Sequence, residues 1–99
     1  SVSVSAGFGD ETGGHTTVES GRSPTTSGRV LLGTSDSDES GEVTVSSGEA
    51  TESSSGSLSL MTGTTAGAAG TVSVSSGASA SGAGSSVTIS AGATDDAEM

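Results

Sequence analysis

The sequence lacks several residue types, and each absence removes a class of structure or function. It has no cysteine, which excludes a disulfide framework and thiolate metal ligands. It has no Trp or Tyr and one Phe, so the large side chains that supply much burial energy in a small domain are missing. It has no Lys, and its formal net charge of −10 argues against nucleic acid and anionic membranes as partners. Its apolar runs are too short for membrane insertion.

The residues that are present are mostly small and polar. The chain of 99 residues contains 24 Ser, 14 Thr and 17 Gly, and 28% of its residues are hydrophobic. Low hydrophobicity combined with an excess of acids is typical of intrinsic disorder. Periodicity in the sequence favours an ordered repeat instead.

Two apolar positions, separated by one residue, recur seven times at intervals of 13 to 15 residues. The first apolar file is Val2, Thr16, Val30, Val43, Leu58, Val72 and Val87. The second apolar file is Val4, Val18, Leu32, Val45, Leu60, Val74 and Ile89. Alternation of β-branched and small polar residues predicts strands rather than helices.

Glycines flank most of these strand patterns and predict corners, since glycine readily adopts positive φ. The fold class predicted is therefore all-β: a narrow, right-handed parallel β-solenoid (β-helix) without helices, with the second apolar file as its core ladder. The single repeat domain 1–99 would have seven coils, and we expect it to be a piece of a longer repeat protein. The coils would span residues 1–13, 14–27, 28–40, 41–55, 56–69, 70–84 and 85–99.

The residue between the two apolar files would point outward. It forms an outward hydroxyl ladder, interrupted by Leu31 and consisting of Ser3, Thr17, Thr44, Ser59, Ser73 and Thr88. This face resembles the flat Thr-rich faces of ice-binding β-solenoids, which would imply an ice-binding function. A solvated or glycosylated surface is the alternative, and the Ser/Thr density is compatible with O-linked glycans.

Three apolar residues have no place in the internal core of this fold. Phe8, Leu31 and Met61 are therefore the predicted contact points for lateral packing between copies of the chain. Open coil edges would also favour end-to-end stacking. Both features predict self-association into filaments.

Carboxylates gather in the return segments, by which we mean the residues between one strand pattern and the next. The third and fourth coils would bring together Asp36, Asp38, Glu39 and Glu49. Carboxylate oxygens suit Ca²⁺, so this cluster is the candidate metal site of a Ca²⁺-bridged adhesive or matrix repeat. The alternative is that these acids only keep the chain soluble.

Nothing in the sequence indicates an enzyme or a bound cofactor. His15 is the only histidine, and abundant serine does not make a catalytic triad without an activating base in the right geometry. We interpret His15 as a surface residue and predict no catalytic or cofactor-binding residues.

The units "GEVTVSSGEATESSS", "GSLSLMTGTTAGAA" and "GTVSVSSGASASGA" resemble the tandem Ser/Gly-rich arrays of large secreted or cell-surface proteins of algae and protists. The resemblance implies an extracellular or cell-surface location and a structural role. The function expected is that of a structural subunit of an extracellular filament or surface fibre (a protein fibril).

Overall fold

The computed structural model describes residues 1–95 of the chain. In this part there is no helix and no strand: the backbone is an extended coil interrupted by short bends. The prediction of an all-β, right-handed parallel β-solenoid with seven coils is therefore wrong. Residues 96–99, the end of the predicted seventh coil, lie outside the described residues.

The pattern of backbone hydrogen bonds gives one physical reason. Stacked coils would join residues about 14 positions apart, but few described residues twelve or more positions apart come close to one another. Within residues 1–95, the backbone-to-backbone hydrogen bonds run from Gly14 N–H to the Gly7 carbonyl and from Gly28 N–H to the Gly21 carbonyl, both at 2.9 Å. Both bonds span seven residues rather than the 14 of a stacked coil, so each closes a local loop around one return segment.

The size of the apolar side chains gives a second reason. No side chain among the described residues is buried. Two branched aliphatic residues per repeat offer little apolar area, whereas ordering a whole coil costs backbone entropy at about 14 residues. The strands predicted from alternation are therefore absent from the described residues, which form an extended coil, and one repeat does not pack on the next.

The bends recur with the period of the sequence. They lie at residues 10–12, 24–25, 37–39, 51–53, 66–67 and 80–82. Each falls in a different return segment, so each of the first six repeat units contains one. Between bends, side chains two positions apart lie on the same side, as extended backbone requires, and Thr44 Oγ1 donates to Glu42 Oε1 at 2.7 Å.

The chain divides into two compact units, Ser1–Val45 and Ser46–Met99. The first unit contains the first three bends and the second unit contains the other three. The described residues include no helix of the length and apolarity needed to cross a membrane.

Glycine conformation differs from the prediction of positive φ at corners. Within residues 1–95, the glycine with positive φ is Gly82, at 88°, in the bend at 80–82. The glycines that flank the strand patterns do not have positive φ, so left-handed backbone is not the reason for glycine at those positions. The geometry described next gives a different reason.

Candidate assembly surface

The two ends of each return segment lie close together. We call the residues that meet there the closure pairs. They are Gly7 and Gly14, Gly21 and Gly28, Thr34 and Gly41, Ser47 and Gly56, Thr62 and Gly70, and Ser76 and Ser85. The first two pairs share the backbone bonds given above, and the last is joined by Ser76 Oγ, which donates to the Ser85 carbonyl at 2.8 Å. A closed loop of eight to ten residues is thus the unit that the sequence repeats.

The glycines on the two sides of a loop differ in the room available for a Cβ atom, not in their backbone dihedral angles. A Cβ added at Gly14 would lie 3.1 Å from Gly7 N and 3.2 Å from Ala6 Cβ, and one at Gly41 would lie 3.2 Å from Thr34 Cγ2. A Cβ added at Gly7 or Gly21 would meet nothing within 4 Å. At Gly14 and Gly41, glycine therefore allows the chain to approach the start of the same return segment closely, whereas at Gly56 and Gly70 the added Cβ would make ordinary contacts at 3.8 and 3.6 Å.

Hydroxyl groups shape several of the bends. Thr25 N–H donates to Ser23 Oγ at 3.3 Å, and Gly67 N–H donates to Thr65 Oγ1 at 3.1 Å. In the bend at 80–82, Ser79 Oγ donates to the Ser81 carbonyl at 2.7 Å. Ser and Thr side chains form such bonds with backbone groups two residues away and so favour turns. The sequence alone did not point to Ser23, Thr65 or Ser79, because nothing in a chain so rich in Ser, Thr and Gly distinguishes them from the other hydroxyl residues.

The apolar files are exposed. The residues assigned to the core ladder are not buried: Val4, Val18, Leu32, Val45, Leu60, Val74 and Ile89 are all exposed. From the third repeat onward, the first apolar file is the less exposed of the two, and in the last repeat Val87 is 48% exposed against 91% for Ile89. Each repeat therefore presents an exposed apolar pair to solvent, except the second, where Thr16 stands beside Val18.

The predicted contact points are also exposed. Phe8 is 95% exposed, Leu31 79% and Met61 75%. Phe8 lies directly after Gly7 at the start of the first return segment, whereas Leu31 lies between Val30 and Leu32. Their role as contacts between copies remains a prediction, and their exposure makes all three accessible to a partner.

The outward hydroxyl ladder is exposed but has no sheet beneath it. Its members Ser3, Thr17, Thr44, Ser59, Ser73 and Thr88 lie on extended coil. One member, Thr44, uses its hydroxyl to bind Glu42. The prediction of ice binding assumed a flat array of strands, and the described residues contain no such array. Ice binding itself remains an untested prediction.

The candidate calcium ligands lie near two different bends. Asp38 and Glu39 are in the bend at 37–39 with Asp36 just before it, all in the first unit. Glu49 precedes the bend at 51–53 in the second unit. In the part of the chain that the structure describes, no three His, Asp or Glu residues are grouped to hold a metal ion. Calcium binding by these residues remains a prediction.

One open recess lies on the second return segment. It has a volume of about 580 Å³ and is lined by Arg22, Ser23 and Pro24. A guanidinium, a hydroxyl and a proline ring do not form a nucleophile–base pair. His15 is exposed and belongs to the strand pattern that precedes this segment, outside the lining of the recess.

Comparison with known proteins gives no relative from which to transfer a role. No protein-family model matches the chain, and no curated protein or solved structure matches it with significance.

Proposed function

We propose that this chain is a structural component of an extracellular filament or surface fibre, assembled from copies of itself. The observation that supports it is the exposure of every large apolar side chain among the described residues, at regular intervals and without a core. Burial of apolar surface is the main driving force of association, and this chain leaves that surface unburied in each repeat. A contact with another chain would bury it.

The repeat supports a second copy as the partner. A copy of the chain presents apolar residues at the same spacing, so one repeat can pair with more than one repeat of its neighbour. Pairing that is offset by one or more repeats leaves an overhang for the next copy, and such non-closing contacts generate filaments. The resemblance to tandem Ser/Gly arrays of secreted and surface proteins supports the extracellular placement.

Net charge sets the conditions for assembly. With a formal charge of −10, copies repel each other at low ionic strength, and salt screens this repulsion over about 10 Å at 0.1 M. Assembly should therefore increase as salt is added.

The direct test is light scattering of the purified chain over a concentration series at low and moderate salt, followed by negative-stain electron microscopy. We expect scattering to rise with concentration and with salt, and elongated particles to appear. A chain that remains monomeric up to its solubility limit at every salt concentration would overturn the proposal.

A further inference from the structure

The charges of this chain are confined to part of its length. Residues 53–94, a run of 42 residues in the second unit, contain no Asp, Glu, Arg, Lys or His. Residues 10–52 contain nine of the 12 acids and both arginines. We call residues 53–94 the uncharged stretch.

The uncharged stretch also contains exposed apolar side chains at three consecutive repeats. Its large apolar residues are all exposed: Leu58, Leu60, Met61, Val72, Val74, Val87 and Ile89. A specific interface takes about 20–30 residues from each partner, so a stretch of 42 residues is long enough to form one.

The backbone of the uncharged stretch is available as well. The backbone-to-backbone hydrogen bonds of the described residues both lie within the first 28 positions. In the uncharged stretch, the Gly67 N–H donates to a side chain, and the carbonyls of Ser81 and Ser85 accept from the hydroxyls of Ser79 and Ser76. These bonds leave most of its backbone donors and acceptors without a partner in the described residues. Exposed backbone donors and acceptors, small side chains and zero charge are the features that allow chains to pair closely.

Resting on the function proposed above, we propose that the uncharged stretch is the self-association surface and that its occupant is the same stretch of a second copy. Pairing of this stretch with residues 10–52 would remove carboxylates from water against aliphatic side chains, which is costly. Pairing of two acidic stretches would place like charges together. Of the pairings between these two stretches, that of two uncharged stretches avoids both costs, and it leaves the acids of residues 10–52 in solvent.

Two matched pairs of substitutions by Glu test whether the uncharged stretch is the self-association surface. Ser59→Glu with Ser73→Glu places two charges in the uncharged stretch, and Ser3→Glu with Thr17→Glu places two on the same ladder outside it. In sedimentation velocity, we expect the first pair to raise the concentration at which half the chain is assembled at least tenfold. The control pair, with the same net charge, should change it less than twofold.

Cross-linking provides a measurement without added charge. The chain has no cysteine, so a single Ser73→Cys or Ser3→Cys substitution gives each variant one reactive site. Under mild oxidation, Ser73→Cys should form disulfide-linked dimers at least fivefold faster than Ser3→Cys.

The outcomes separate the two proposals. If the wild-type chain assembles but the two charge pairs shift assembly equally, or the two cysteines cross-link equally fast, the uncharged stretch is not the surface and the proposed function still stands. If the wild-type chain does not assemble at all, both proposals are overturned.

Discussion

The backbone N–H of Gly14 donates to the carbonyl oxygen of Gly7 at 2.9 Å, and the bond closes a loop around the first return segment. Gly28 and Gly21 repeat this relationship 14 residues later with the same bond length. The repeat of the sequence therefore encodes closed loops carried on an extended chain. The role of glycine in this arrangement is to let two backbone segments come close together.

The two glycines of the first closure pair should respond differently to a methyl group. Gly14→Ala places Cβ 3.1 Å from Gly7 N, so we expect the bond to weaken. A lost hydrogen bond of this kind costs about 1 kcal/mol, which corresponds to about fivefold faster exchange of the residue 14 amide. Gly7→Ala, with nothing within 4 Å, is the matched control and should leave that exchange rate unchanged. Equal rates in both variants would contradict the steric explanation.

Gly9 should be essential to the bend at 10–12. A Cβ at this position would overlap the carbonyl oxygen of Thr12, which is backbone and cannot move away independently. We expect Gly9→Ala to shift the backbone NMR resonances of residues 10–12. In Gly13→Ala the nearest atom to the added Cβ is the Gly7 carbonyl oxygen at 3.8 Å, so this control should leave the bend intact. A bend that survives Gly9→Ala unchanged would mean that Thr12 does not fold back over Gly9.

The hydroxyl of Thr65 should hold the bend at 66–67. Thr65→Val keeps the shape of the side chain but removes the acceptor of the Gly67 N–H bond at 3.1 Å. We expect the Gly67 amide proton to move upfield and to exchange about fivefold faster, in line with a bond worth about 1 kcal/mol. Thr65→Ser restores the hydroxyl and should restore both values. Failure of Thr65→Ser to do so would assign the effect to the side-chain methyl group.

The sequence pattern predicted part of this architecture for sound physical reasons. Alternation of Val or Leu with Ser or Thr favours an extended backbone, and the chain is extended at those positions. Gly14 and Gly28 were predicted as corners of positive φ, which they are not; the structure instead shows close approach of the chain there. Both properties depend on residues close together in the chain, so they can be recognised in the sequence alone.

The wrong prediction was that the local repeat pattern would lead to stacking of successive repeats into a β-solenoid. Stacking of coils requires apolar area that two aliphatic residues per repeat do not provide, and Val87 and Ile89 remain exposed. The carbonyls of Gly7 and Gly21 also bond to amides seven residues away, instead of to amides about 14 residues away as in stacked coils. Predictions that depended on stacking, such as the buried core ladder, were therefore wrong together with the fold.

Calcium binding can be tested at the bend that is richest in carboxylates. Asp36, Asp38 and Glu39 lie within four residues in the first unit, whereas the bend at 10–12 carries only Asp10 and Glu11. More carboxylates at one bend favour Ca²⁺, and extracellular modules bind it with dissociation constants of about 10⁻⁴–10⁻³ M. In a calcium titration followed by NMR at constant ionic strength, we expect the amides of residues 36–39 to respond at lower concentrations than those of residues 10–11.

Matched variants and a second cation complete the calcium test. Asp38→Asn with Glu39→Gln should abolish the response at residues 36–39, while Asp10→Asn with Glu11→Gln, which removes the same charge, should leave it intact. Mg²⁺ demands a near-octahedral ligand set and loses its waters reluctantly, so it should produce a smaller response than Ca²⁺ at equal concentration. Equal responses at the two bends, or equal responses to the two cations, would show that the carboxylates attract cations only as a diffuse negative charge. In that case the acids of residues 10–52 would serve solubility alone.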